Sequence, residues 1–455
     1  MKKLTILFLA FCCTLSLAAC GKEKQPVEPY IPPVQGGYYQ ETEPSIESTT
    51  VSTVPVQTAP IETEPTVDET EPVVEEPAVP TEPQRTYIEE MKLLHEGNEI
   101  YFKYNQLNDI QKETYLMACD AIEQGHPTFF LGEVKITTDE AHEALRAVWF
   151  DHPEFFWYTN EYTISFIDNQ VFSVDLSYYP ELMNKFEANK KAFNKVIDAL
   201  VARAQEKNSI LDQEKMIHDY ICKSTVYQEG PLDQTAWSCL VERKTVCAGY
   251  ARAFQIVMNK LGAPCYMIVG DMITDGEAVR HAWNVVKLVD GYYAMDVTSN
   301  DCDEKSCVLY NKYNFAYATF ADEYVIDEDC LDFPDCTETR YSFSNTYGID
   351  ENVASAMSFT DSDTVIYSLE EYKLFHEQIC RNNGFGEWEV KYVLVGEELL
   401  NQVMAYIQEQ KYMDTYIMDI AKFNNAPAVT LSESIMRVDF DNAYGIMHSV
   451  KISEG

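Results

Sequence analysis

The chain has 455 residues, 46% of them hydrophobic and 13% aromatic, enough apolar material for two or three ordinary domains once any non-globular segment is set aside. Its formal net charge of -40 argues against nucleic acid as a partner, because phosphate binding needs clustered Lys and Arg, and it disfavours adsorption to anionic lipid.

At the N-terminus, Lys2 and Lys3 precede an apolar stretch from Leu4 to Ala19, shorter than the ~20 residues of a bilayer span, which reads as an export signal over residues 1–19. Leu17-Ala18-Ala19-Cys20 resembles the lipobox of bacterial lipoproteins, so Cys20 is the expected first mature residue and lipid carrier. A plain secretory signal is the other reading, and both export the protein. The expected location is extracytoplasmic, with the lipid on Cys20 as the membrane anchor. Residues 20–84 follow as a stalk: from Gln25 to Gln84 there is no Lys or Arg, and Pro, Glu, Thr and Val repeat as in IETEPTVDETEPVVEEP. Such a segment cannot bury a core and is expected to stay extended and disordered.

Patterning begins near Tyr87. Helices are expected around Leu107 to Gln124 and from Thr138, where Thr138 and Glu140 suit an N-terminus. TISFI and VFSVDLSYY, separated by DNQ, predict a hairpin, and Pro180 opens a helix to about Lys207 with Phe186, Phe193, Ile197 and Leu200 on one stripe. These elements define an accessory α+β domain over 85–205. A small α/β domain is expected over 360–455. There Ser368 and Glu371 form a capping box, a helix runs toward Asn383 and Gly384, and WEVKYVLV, EELLNQVMAYIQEQ, MRVDFD and GIMHSVKI alternate strand, helix and two strands.

Ten cysteines remain of the thirteen once Cys12, Cys13 and Cys20 are set aside. Cys119, Cys222, Cys239, Cys265 and Cys380 read as small buried apolar residues. Cys302, Cys307, Cys330 and Cys336 share one acidic, loop-like segment in which an exported chain permits disulfides of undetermined pairing. No CxxC pair is present, so neither zinc nor any other metal or cofactor is expected.

The central region, 206–345, holds the chemistry. After Cys247, the residues Tyr250, Ala253, Phe254, Val257, Met258 and Leu261 recur at helical spacing and Gly262 supplies a left-handed stop. Cys247 therefore falls in a first helical turn, where the dipole and free N–H groups favour a thiolate. Ala248 and Gly249 are small enough to admit a substrate carbonyl, and the Cys247 N–H can hold its oxyanion. Downstream, HAWNVVKLVDGYYAMDVT reads as a hairpin around Asp290-Gly291. A tight turn there sets Asp296 across from Val285, about 13 Å along the strand from His281. If Leu288 instead pairs with Gly291, Asp296 lies across from Trp283, about 7 Å from His281 on the same face. The looser turn or a bulge is predicted. His152 and His218, without local partners, read as structural.

Cysteine on a helix, with histidine and aspartate on neighbouring strands, is the order of nucleophile, general base and orienting carboxylate. Here TVCAGYARAF and RHAWNVVKLVDGYYAMDVT, with HDYICKSTVY and TAWSCLVERKTVC before them, resemble the core of the transglutaminase-like superfamily over roughly Glu214 to Asn300. The resemblance implies an α+β, papain-like fold with Cys247 as nucleophile, His281 as general base and then acid, and Asp296 as orienter. It offers Tyr227 as an aromatic residue lining the substrate site; Trp283, a second candidate for that site, is expected to pack beneath it rather than bind substrate. Thr245 replaces a glycine common in the family and Val297 a common proline, which concerns loop shape.

The implied activity is acyl transfer on peptide or protein amides through a thioester, ending in hydrolysis, deamidation or transfer to an amine. The alternative is a catalytically silent surface binding module built on the same core.

Overall fold

The computed structural model describes residues 7–11, 39–41, 86–274, 276–302, 307–409 and 429–454. The expectations for the export signal, for Cys20 and for the 20–84 stalk lie outside these residues, apart from Leu7–Phe11 and Tyr39–Glu41, which form short strands. None of the described helices is long and apolar enough to cross a membrane.

The chain divides into two compact units. The smaller takes in Gly37–Val148 and Asn160–Ser177, the larger Met1–Gly36, Trp149–Thr159 and Tyr178–Gly455. The accessory domain expected over 85–205 is thus cut differently: the long helix Phe186–Gln205 belongs with the larger unit rather than before it. Its buried stripe Phe193, Ile197, Leu200 and Ala204 explains why, since that face has to be covered and is covered from the larger unit.

In the smaller unit, Asn108 and Gln111 form a reciprocal cap on the helix Asp109–Gln124, which ends at Gly125 in the left-handed region. The helix Thr138–Asp151 starts where expected, but Thr137 does the capping: its N–H and hydroxyl both donate to Glu140. The hairpin turns at Asp168 and Asn169, both at positive φ. That is the pairing a two-residue turn needs to match strand twist, and Asx side chains tolerate it.

The larger unit is built around α1 (Phe186–Gln205), α2 (Ile210–Ser224), α3 (Cys247–Lys260) and a four-stranded antiparallel sheet. Its strands are β1 (Cys265–Thr274), β2 (Glu277–Lys287), β3 (Tyr292–Met295) and β4 (Tyr324–Ile326), in the order β3-β2-β1-β4. α3 is buried without a break from Cys247 to Met258, because the sheet covers one side of it and helices cover the others. Gly262, at φ +85°, ends it as expected.

The C-terminal region is continuous with this unit, whereas the sequence placed a separate domain over 360–455. β5 (Gly386–Val395), β6 (Val429–Phe440) and β7 (Ala443–Glu454) form a five-stranded sheet in the order Leu7–Phe11, β6, β7, β5, Val365–Ile366. Cys302 and Cys307 share one apolar cluster with Val353, Phe359, Val393, Val438 and Phe440, so the region before residue 345 and this sheet have a common core. The Ser368–Glu371 capping box forms.

Candidate active site

β2 and β3 pair with Tyr292 across from Lys287 and Met295 across from Asn284, and the Leu288 N–H donates to the Gly291 carbonyl at 2.9 Å. This is the looser turn. Continued by one residue, the register sets Asp296 opposite Trp283, two residues from His281 on the same face. β3 stops at Met295, and Asp296 becomes the cap of the short helical turn Val297–Asn300. Leaving the strand there lets its carboxylate reach diagonally to His281, whose Nε2 donates to Asp296 Oδ2 at 2.8 Å.

The Asp296 carboxylate is fully buried and fully engaged. Tyr324 Oη donates to Oδ2 at 2.6 Å, Ser299 Oγ to Oδ2 at 2.7 Å and the Ser299 N–H to Oδ1 at 3.0 Å. Its own N–H donates to the Lys312 carbonyl at 3.0 Å, which fixes the backbone. Burial alone would raise this carboxyl, but His281 and the Ser299 and Tyr324 hydroxyls hold it well below the usual carboxylate range. Burial likewise works against the imidazolium. Asp296 and the nearby Cys247 sulfur overcome it and hold His281 up at about 10. A buried imidazolium and carboxylate are thus mutually dependent. His281 Nδ1 is buried without a partner of full hydrogen-bond geometry among the described residues, and the Cys247 side chain is the neighbour that acts on the ring beside Asp296.

Cys247 is the first residue of α3, and Val246, the cap residue, offers no side-chain acceptor to the helix end. Cys247 is 1% exposed, His281 2% and Asp296 0%, so the site is closed. Tyr227 is half-buried, and its hydroxyl lies near enough to Cys247 to feel its charge but has no hydrogen-bond partner among the described residues. Burial pushes the Cys222 and Cys265 thiols far up and those of Cys239 and Cys380 to about 12, consistent with packing roles.

Three expectations need correction. Gly249 does not open room for substrate: a Cβ there would meet Thr245 Oγ1 at 1.8 Å and the Asp233 and Thr235 carbonyls at 2.9 Å, so glycine is required by the approach loop. The same contact explains Thr245, whose hydroxyl donates to the Asp233 carbonyl at 2.7 Å and meets Ser238 Oγ at 2.6 Å, tying that loop together. Trp283 is fully buried, stacks on His281 at 6.1 Å and donates from Nε1 to Tyr317 Oη at 3.0 Å. It supports the imidazole from beneath and does not line a substrate surface. His152 and His218 do have local partners: Glu154 at 2.7 Å for the first, Asp219 and Asn300 at 3.0 Å each for the second. Through Asn300, His218 braces the turn that carries Asp296.

Sequence reasoning missed Ser299, Tyr324 and Gly270. Ser299 was legible, since Asp-x-x-Ser is a capping pattern. Tyr324 had no local signal, because β4 joins the sheet beside β1, far from Asp296 in sequence. Gly270 lies opposite His281, where a Cβ would meet the Val325 carbonyl at 2.1 Å and the Trp283 ring at 2.9 Å.

Residues 198–297 match the family model of the transglutaminase-like superfamily, a span that includes Cys247, His281 and Asp296. No curated protein matches the chain. Among solved structures, a TGase is similar at 19% identity over 31% of this chain and 44% of its own, with a TM-score of 0.21. A candidate protease from Parabacteroides distasonis is similar at 8% identity over 64% of this chain and 56% of its own, with a TM-score of 0.19. The chain thus spans about half the length of each. Residues 198–297 are a domain of the transglutaminase-like superfamily.

Proposed function

We propose that the protein is an extracytoplasmic, lipid-anchored cysteine enzyme acting on peptide or protein amides. The Cys247 sulfur attacks the amide carbonyl, His281 protonates the departing amine, and a thioester on Cys247 is released to water or to a second amine. Asp296 keeps His281 charged and aimed. The observation that carries this reading is the His281–Asp296 hydrogen bond at 2.8 Å, with the sulfur of the α3 N-terminus acting on the same imidazole. The Cys247 N–H, at the start of α3, is the oxyanion donor.

The burial of Cys247 is what favours the second reading, a silent binding module. Alkylation near neutral pH separates the two. An iodoacetamide-type probe is expected to modify Cys247 far faster than the other nine mature thiols outside Cys20, and His281→Ala to slow it. Uniform, slow labelling would leave the binding module standing.

A further inference from the structure

The turn that carries Asp296 continues into a short antiparallel pairing. Asp301 bridges Val308, and the Leu309 N–H donates to the Asn300 carbonyl at 2.8 Å. One step further in the same register, Cys302 stands across from Cys307. Directly opposed residues of an antiparallel pair have Cα atoms about 4.5–5.5 Å apart, within the about 4.4–6.8 Å that a disulfide spans. Both thiols are buried, in the cluster shared with Val353, Ala356, Phe359 and Val438. They lie close enough that Cys302 pushes the Cys307 thiol far up. Neither Cys330 nor Cys336 belongs to this pairing.

The pairing also bears on the site. Asp301 accepts a hydrogen bond from Tyr250 Oη, on the turn of α3 that follows Cys247. Asn300 accepts from the Lys312 N–H at 3.0 Å and donates to His218. Asn300 and Asp301 thus fasten the Asp296 turn to α3.

We propose that Cys302 and Cys307 form a cross-strand disulfide that locks this segment and is a redox-sensitive brace for the catalytic geometry. The oxidant is a disulfide of low molecular weight or a protein disulfide. One thiolate displaces one thiol from it to give a mixed disulfide, and the second thiolate displaces the other thiol. Each cysteine loses its hydrogen, and two thiols leave. The inference does not depend on the acyl-transfer reading, since its primary readout is a covalent bond.

The test exposes the full chain to oxidised glutathione, blocks remaining thiols with iodoacetamide after unfolding, and maps the peptides by mass. The expected product is a peptide in which Cys302 and Cys307 escape alkylation and together lack two hydrogens. A glutathione adduct on Cys247 is separable by its added mass. Closing so short a loop is expected to raise the melting temperature by about 4–8 °C, a gain absent from the Cys302→Ser, Cys307→Ser double variant. Full alkylation of both residues after oxidation, or a link from either to Cys330 or Cys336, overturns the proposal. If the double variant does not fold, the wild-type peptide map decides alone.

Discussion

Replacing Asp296 with Asn keeps the volume of a side chain that accepts four hydrogen bonds and removes its charge. His281 is held at about 10 against an ordinary 6.5. That rise corresponds to roughly 5 kcal/mol in favour of the imidazolium at about 1.4 kcal/mol for each tenfold change. Burial opposes the charged ring and remains after the substitution. In Asp296→Asn the pKa of His281 is therefore expected to fall below the ordinary histidine value, leaving a neutral imidazole at pH 7. The stabilisation from the raised His281 is complete below about pH 6.5 and is lost as pH climbs toward 10. That from the lowered Asp296 is present above the ordinary carboxylate range and is lost in acid. Imidazole NMR on histidine-labelled protein reads this directly. Wild-type His281 is expected to stay protonated through neutral pH, while the variant titrates in the acid range and loses about 10²–10⁴-fold in acyl transfer. A neutral His281 in the wild type at pH 7, or an unchanged titration in the variant, would refute the argument.

Gly249→Ala is expected to destabilise the fold by about 1–3 kcal/mol or more, since two of the three obstructing atoms are backbone carbonyls; an unchanged denaturant midpoint would show that the loop gives way freely. Glu214 is fully buried, with Asn314 Nδ2 donating to it at 2.8 Å, and burial pushes its carboxyl up to about 8. Because the folded state keeps a proton the unfolded state loses above pH 4.5, stability falls as pH rises from 4.5 to 8, by roughly 4–5 kcal/mol. Glu214→Gln is expected to remove that slope, and parallel stability-versus-pH curves for the two proteins would contradict it. Trp283→Phe, which deletes the hydrogen bond to Tyr317, is expected to lower stability by about 1–3 kcal/mol and leave KM unchanged; a raised KM with intact stability would return Trp283 to the substrate surface.

Much of the site could be read from one dimension because its parts are local. Helical spacing after Cys247 places the sulfur at a helix start, and alternation in HAWNVVKL with a turn at Asp290-Gly291 puts His281 and Asp296 on one face. The two-residue choice of register was legible too, because only one of the two turns brings a carboxylate within diagonal reach of the imidazole. What could not be read was everything that depends on closure of the chain over long separations. Tyr324 reaches Asp296 only because β4 docks on β1, and the Glu214 carboxyl is raised only because distant segments bury it, while the hydrogen bond from Asn314, a hundred residues away, works against that rise.

The same division explains the errors. Gly249 looked like an opening for substrate because sequence shows a missing side chain and not the carbonyls of Asp233 and Thr235 that fill its place. Trp283 was open to two uses, since alternation gives a face and not what covers it, and packing chose the buried one. The compact units run across the limits expected near 205 and 360, because a patterned segment announces that it has an apolar side without saying which neighbour will cover it. Sequence by itself determined the chemical types, their order and their shared face, which follow from backbone periodicity. Tertiary structure alone decided burial, and with it the charge states of His281, Asp296 and Glu214, because desolvation belongs to the packed assembly and not to any segment of it.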